Sequence, residues 1–154
     1  MIDRKEKRLQ DFAAFLSNFV CNLNQMSSEG WVLLVEGKRD EAALRGLGYE
    51  GALITLATLS RGICPALRGS NKVVILTDLD REGGVLAARS VKSLSRNGIN
   101  TSLAERRRLK AASHGAFLHI ENLSRFAESA ALRPKGALLA EEGLELKSRD
   151  RTSS

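Results

Sequence analysis

The run Lys72-Val73-Val74-Ile75-Leu76-Thr77, followed at once by Asp78-Leu79-Asp80, constrains this chain more than any other feature. A short, continuous apolar segment reads as a strand buried on both faces. Trp31-Val32-Leu33-Leu34-Val35 is another such run, and it ends in Glu36-Gly37. Between and after them lie helix-like segments at 40–47, stopped by Gly48, at 62–68, ended by Gly69, and at 82–96, closed by Asn97-Gly98. Weaker strand patterns at 52–56 and 99–103 complete a βαβαβαβ order. That order predicts an α/β fold, a parallel sheet with helices on both faces and right-handed crossovers. With the first and third strands as neighbours, the four-stranded sheet has the order 2-1-3-4.

The flanks are of a different character. Residues 1–28 read as an N-terminal amphipathic helix, with Leu9, Phe12, Leu16, Phe19 and Leu23 on one face. The α/β unit spans 29–112. Residues 113–154 form a C-terminal extension, in which 116–120 reads as one more short strand and 124–132 as a helix. The polar end, 147–154, reads as frayed.

Composition narrows the function classes. No apolar run approaches the roughly 20 residues of a membrane span, and the first residues are too charged for a signal peptide. Cys21 and Cys64 stand 43 positions apart with no CxxC, and the only histidines are His114 and His119. Structural zinc, a disulfide scaffold, haem and iron–sulfur chemistry are therefore not expected, and a reducing cytoplasm is. The formal net charge of +6 makes a polyanion a plausible partner.

The chemistry concentrates at the two strand ends. Open α/β sheets bind ligands just past the carboxyl ends of their strands, where Glu36 and Asp78-Leu79-Asp80 fall. Glu36, Asp40, Asp78, Asp80 and Glu82 outnumber the local bases Lys38, Arg39 and Arg81. Carboxylates this close repel one another, and a cation relieves the repulsion. Oxygen donors select Mg²⁺, Mn²⁺ or Ca²⁺, and magnesium commonly completes its shell with phosphate oxygens. An aspartate before a helix also serves simply as an N-cap, so each motif alone is weak. The two together, one βα unit apart, are specific.

At these residues the chain resembles the Toprim domain of topoisomerases, bacterial-type primases, recombination-repair proteins and the maturase of 5S ribosomal RNA. The family pattern is a glutamate after the first strand and Asp-x-Asp after the third. Here the two read Val35-Glu36-Gly37-Lys38-Arg39-Asp40 and Thr77-Asp78-Leu79-Asp80-Arg81-Glu82-Gly83. The Asp-x-Asp motif most resembles the type IA topoisomerase version, with Leu79 where many of those have proline. The whole chain is most similar to the small stand-alone Toprim proteins of archaea, a similarity that includes Leu44-Arg45-Gly46-Leu47-Gly48 and Ile120-Glu121-Asn122-Leu123. The resemblance implies a Toprim fold in which Glu36, Asp78 and Asp80 bind Mg²⁺, up to two ions with Mn²⁺ able to substitute, and Glu82 is a further acidic position. In catalytic relatives the counterpart of Glu36 also moves a proton.

A complete topoisomerase or primase is not expected in 154 residues. The single tyrosine, Tyr49, reads as a packing residue and not as a DNA-attacking nucleophile. The expected function is a small metal-dependent nuclease in RNA or DNA processing, with water as nucleophile and Glu36 as general acid or base. Lys38, Arg39, Arg61 and Arg81 are candidates to hold the phosphate backbone, with Arg106, Arg107, Arg108 and Lys110 as an outer track. The alternative is a non-catalytic, metal-stabilised nucleic-acid-binding subunit of a larger processing complex. An aspartate phosphatase of the haloacid dehalogenase type fits less well, because Arg81-Glu82-Gly83 stands where Gly-Thr is usual.

Overall fold

The structure is a computed structural model and describes residues 3–127. A long helix α1 (Arg4–Ser28) leads into the sheet strand β1 (Trp31–Val35), helix α2 (Lys38–Gly46) and strand β2 (Leu53–Thr55). Two single-turn helices, α3 (Leu56–Ser60) and α4 (Ile63–Leu67), precede β3 (Lys72–Ile75). Helix α5 (Arg81–Arg96), strand β4 (Asn100–Ser102), helix α6 (Ala104–Ser113) and a 3-10 turn (Ile120–Phe126) follow. All strand pairs are parallel, in the order β2-β1-β3-β4. Leu33 is paired with Leu53 on one side and Val74 on the other, so β1 and β3 are the inner strands.

The two apolar runs bury alternate residues in opposite layers. Leu33, Val35, Val74 and Leu76 face α1, α2, α6 and the 3-10 turn, in a layer that includes Leu16, Phe19, Leu44 and Leu109. Val32, Leu34, Val73 and Ile75 face the other side, where α3, α4 and α5 contribute Leu59, Leu67, Ala87 and Leu94. Strands buried on both faces need apolar residues at every position, which is why these runs carry no polar alternation.

Four readings of the sequence are corrected. Leu9 is 38% exposed, because α1 meets the core only from Phe12 onward and its first turns project beyond the sheet. Strand β2 stops at Thr55, whose side chain caps α3 by accepting the Thr58 N–H; the region read as one helix at 62–68 is thus preceded by another, α3. Residues 116–120 form no strand. Phe117, Ile120, Leu123 and Phe126 are buried at intervals of three, the period of a 3-10 helix, in the core layer of α1 and α2, with the 3-10 turn lying against α2. The helix expected from residue 124 instead starts at Ile120 as a 3-10 turn, and its expected later part, 128–132, lies outside the described residues, as does 147–154.

Residues 113–127 therefore share one core with α1. Phe12 stacks on Phe117 at 5.2 Å, and Phe126 meets both rings edge-on at 5.2 Å. Burying each ring is worth about 1.5–3 kcal/mol, enough to hold this short segment against the sheet layer. Its path carries it back over the carboxyl ends of β1 and β3.

Candidate metal centre

The centre is built from three chain segments that meet past the ends of β1 and β3. Parallel pairing of these strands puts Glu36 beside Asp78, and the Asp78 N–H donates to Glu36 Oε2 at 2.9 Å. The chain then turns sharply into α5. Asp80 is the N-cap of that helix, its Oδ1 accepting the Gly83 N–H at 2.7 Å. Buried Thr77 donates its hydroxyl to the Gly83 carbonyl at 2.7 Å. Gly83 packs so tightly on the loop that a Cβ there would collide with the Asp78 carbonyl group. The Asp-x-Asp-x-x-Gly spacing is thus a turn requirement as well as a source of carboxylates.

The third segment is the one after α6. Its Ile120 N–H donates to Asp78 Oδ1 at 2.7 Å, and the Leu79 N–H donates to the Leu118 carbonyl at 2.6 Å. His119 then lies over the loop, with Nδ1 3.3 Å from Asp78 Oδ2 and 3.7 Å from Asp80 Oδ2. One donor atom each of Asp78, Asp80 and His119 falls within a 4.8 Å cluster. Asp78 and Asp80 are each half-buried, whereas the His119 side chain is 49% exposed.

Electrostatics follow from the crowding. Burial pushes the Glu36 carboxyl above its ordinary range; the Asp78 N–H opposes this, and the charges of Asp78, Asp40 and Asp80 add to it. Asp40 is likewise raised, by burial and then by Asp78, against the hydrogen bond from the Gly37 N–H. The hydrogen bond to Asp78 raises His119, helped by the charges of both aspartates. Two carboxylate oxygens and an imidazole nitrogen around one point form a donor set that suits a divalent cation.

The structure sorts the expected residues. Asp78 and Asp80 share the donor cluster with His119, while Glu36 adjoins it through the Asp78 N–H and is not one of its three members. Glu82 sits exposed on the first turn of α5, where its charge favours the positive helix end. Asp40 is buried and completes the start of α2. Lys38, Arg61, Arg81, Arg107 and Lys110 are exposed. Arg39 pairs with Glu121 at 3.9 Å. Arg108 lies over the Phe15 and Phe19 rings at 5.8 and 5.9 Å. Arg106 turns inward and donates to the carbonyls of Thr77, Asp78 and Asp80 at 3.3, 2.5 and 3.5 Å. Tyr49 is buried beside β2, its hydroxyl donating to the Ala52 carbonyl at 2.6 Å. Both cysteines are free and exposed.

A UPF0292 protein of Methanosarcina barkeri is 33% identical over 129 residues, which cover 82% of this chain and 87% of that protein. The chain belongs to the UPF0292 family. A UPF0292 protein of Archaeoglobus fulgidus is 28% identical over 78% of this chain and 94% of its own length. One of Pyrococcus horikoshii is 37% identical over 59% of this chain and 70% of its own. Among solved structures, a putative protein from Aquifex aeolicus is similar with a TM-score of 0.58 and 29% identity, covering 69% of this chain and 95% of that one. No family model matches the chain. Among the described residues, no helix is long and apolar enough to cross a membrane.

Two features of this UPF0292 centre escaped the sequence. His119 stands 41 positions from Asp78, so no spacing links them. Arg106 reads, in sequence, as one of a run of surface bases. The only available hint was its place in α6, two residues from Arg108 and three from Leu109, which turns it toward neither the exposed face nor the deepest core.

Proposed function

We propose that this UPF0292 chain is a Toprim-type, divalent-cation-dependent nuclease acting on RNA or DNA. The observation that carries the reading is the convergence of Asp78 Oδ2 and Asp80 Oδ2 beside Glu36 at the carboxyl ends of the two inner strands. Asp78 and Asp80 are the residues that would hold Mg²⁺ or Mn²⁺, with Glu36 adjoining. A bound ion there would stabilise charge on the phosphate and the leaving oxygen. Glu36 moves a proton between water and the leaving group, since its other oxygen makes no hydrogen bond within the described residues. Its hydrogen bond from the Asp78 N–H fixes the carboxylate against the loop. Exposed Lys38, Arg39 and Arg81 lie on the helix starts that follow the two motifs, so they orient the phosphate backbone. Arg107 and Lys110 extend that basic surface along α6.

The test is single-turnover cleavage of a panel of structured and single-stranded RNA and DNA with Mg²⁺, with Mn²⁺ and with chelator. Cleavage that chelator abolishes and that Glu36→Gln lowers by about 10²–10⁴-fold supports the nuclease. Tight, salt-sensitive binding without cleavage in any arm replaces it with a non-catalytic binding subunit.

A further inference from the structure

We propose that His119 is a nitrogen ligand of the metal centre, so that the site holds nitrogen-accepting ions such as Co²⁺ more tightly than a carboxylate-only site would. This rests on the metal-dependent function proposed for the chain and adds a ligand from outside the α/β unit.

The argument begins with what each aspartate oxygen does. Asp78 Oδ1 is taken by the Ile120 N–H and Asp80 Oδ1 by the Gly83 N–H, both at 2.7 Å. These bonds fix both carboxylates and leave one oxygen of each, Oδ2, turned toward the same place. His119 Nδ1 is the third donor there, at 3.3 and 3.7 Å. A charge-assisted N–H···O⁻ bond contracts to about 2.7–2.9 Å. Ligands about 2.1 Å from a common ion are instead about 3.0 Å apart at right angles and about 3.4 Å apart in a tetrahedron. The 3.3 Å from His119 to Asp78 is longer than a contracted charge-assisted bond and falls in the range of shared ligation, and the 3.7 Å to Asp80 needs a shift of only a few tenths of an ångström to reach it.

The same segment explains why the imidazole is delivered reliably. Ile120, next in the chain, is fully buried in the sheet layer, and its N–H is the one bonded to Asp78. The Leu118 carbonyl on the other side accepts the Leu79 N–H. His119 is therefore held between two backbone bonds to the very loop that carries the aspartates. Imidazole suits later transition ions, whereas magnesium prefers oxygen. His119 should consequently matter much more for Co²⁺ than for Mg²⁺.

The experiment uses the full chain and metals alone. Co²⁺ is titrated by its visible absorption and Mg²⁺ by competition against Co²⁺, for the unaltered protein, His119→Ala, His119→Gln, His114→Ala and Asp78→Asn. The expected result is at least a tenfold loss of Co²⁺ affinity in both His119 variants, a loss of that order being usual even for outer partners of a ligand. Mg²⁺ affinity should change by less than about threefold, and His114→Ala should match the unaltered protein. Pulsed EPR of the Mn²⁺-loaded unaltered protein should show coupling to an imidazole nitrogen, whatever the folding of the variants. Equal losses for both ions, no loss, or tighter Co²⁺ binding without His119 would overturn the proposal, the last because His119 would then be a competing cation. If Asp78→Asn also binds Co²⁺ like the unaltered protein, the metal reading itself fails, which separates the two failures.

Discussion

The backbone N–H of Asp78 donates to the carboxylate of Glu36 at 2.9 Å, across 42 positions of sequence. This bond ties the exits of the two inner strands together and sets the distance between a candidate proton carrier and the Asp-x-Asp loop. It also makes the glutamate and the loop one unit: displacing either moves the other. Arg106 on α6 and Ile120 on the 3-10 turn grip the same loop from two further directions.

Metal binding should be visible as stability. An ion bound only by the folded chain stabilises it by about 2.7 kcal/mol at a hundredfold excess over Kd. Mg²⁺ or Mn²⁺ should therefore raise the melting temperature, and Asp78→Asn should abolish most of that rise. Glu82→Gln should keep it, because Glu82 lies outside the Asp78–Asp80–His119 cluster. Equal metal-induced shifts in the unaltered protein and Asp78→Asn would remove Asp78 from the ligand set.

Much of this arrangement was legible in the sequence, and the reason is local. The inner strands announce themselves because burial on both faces forbids polar residues, so Val32 to Val35 and Val73 to Leu76 stand out as runs. Taking these two strands as neighbours gave the order 2-1-3-4, which the sheet has. Spacing placed five acids at these strand ends, and the resemblance to the Toprim pattern singled out Glu36, Asp78 and Asp80 among them. His119 and Arg106 were placed at the centre by neither, since each acts through packing between segments distant in sequence. The strand expected at 116–120 failed for a similar reason: the segment reads as a short apolar run, but Phe117 and Ile120 are buried three apart with Leu118 between them exposed, a spacing set by packing on distant segments. Leu118 is 42% exposed.

Arg106 should behave as a positioning residue and not as part of a phosphate track. Its guanidinium is partly desolvated, which lowers its pKa, while the charges of Asp80, Glu36 and Asp78 oppose that shift. Arg106→Ala leaves loop carbonyls without their charged donor. It should weaken Mg²⁺ binding and lower the melting temperature even without nucleic acid. Arg107→Ala should do neither, yet should reduce the salt dependence of nucleic-acid binding by roughly one counterion. Calorimetric metal titration with salt-dependent filter binding distinguishes the two; matching behaviour of the two variants would refute the division.

The close approach at the start of α5 can be tested with adjacent glycines. Gly83→Ala drives a methyl group into the Asp78 carbonyl, which belongs to backbone and cannot swing away. Destabilisation by about 1–3 kcal/mol or more is expected, with loss of metal binding as the loop shifts. At Gly84 the nearest atom to an added Cβ is Arg106 Nη2, at an ordinary 3.8 Å. Gly84→Ala should be neutral or stabilise the helix by up to about 1 kcal/mol. Urea unfolding of the pair measures both, and equal effects would contradict the packing described.

Tyr49 offers a test of role through pH. The ring is buried, Arg45 lies over it at 5.3 Å, and the hydroxyl donates to the Ala52 carbonyl. That carbonyl also accepts the Leu33 N–H from β1, so Tyr49→Phe leaves it with a partner. The expected cost near neutral pH is about 0.5–1.5 kcal/mol, with Co²⁺ and Mg²⁺ affinities unchanged. Burial raises the Tyr49 pKa above its ordinary value of 10.0, against smaller lowering effects of Ser27 and Arg45. A folded-state pKa above the unfolded one means that the neutral phenol contributes its full stability below pH 10.0. Above that pH the unfolded chain ionises first, and the contribution is lost as pH rises through the folded-state pKa. The stability difference between the unaltered protein and Tyr49→Phe should therefore be constant from pH 7 to about pH 9 and shrink above about pH 10, a window set by the ordinary tyrosine pKa. Urea unfolding of both proteins across that range measures it, and groups common to the two cancel in the difference. A difference that stayed constant to pH 11 would mean that the phenol is not held in the buried, hydrogen-bonded position, about one unit above the ordinary tyrosine pKa being enough to reveal the loss. A covalent nucleic-acid adduct on Tyr49 would overturn the packing role together with the hydrolytic mechanism.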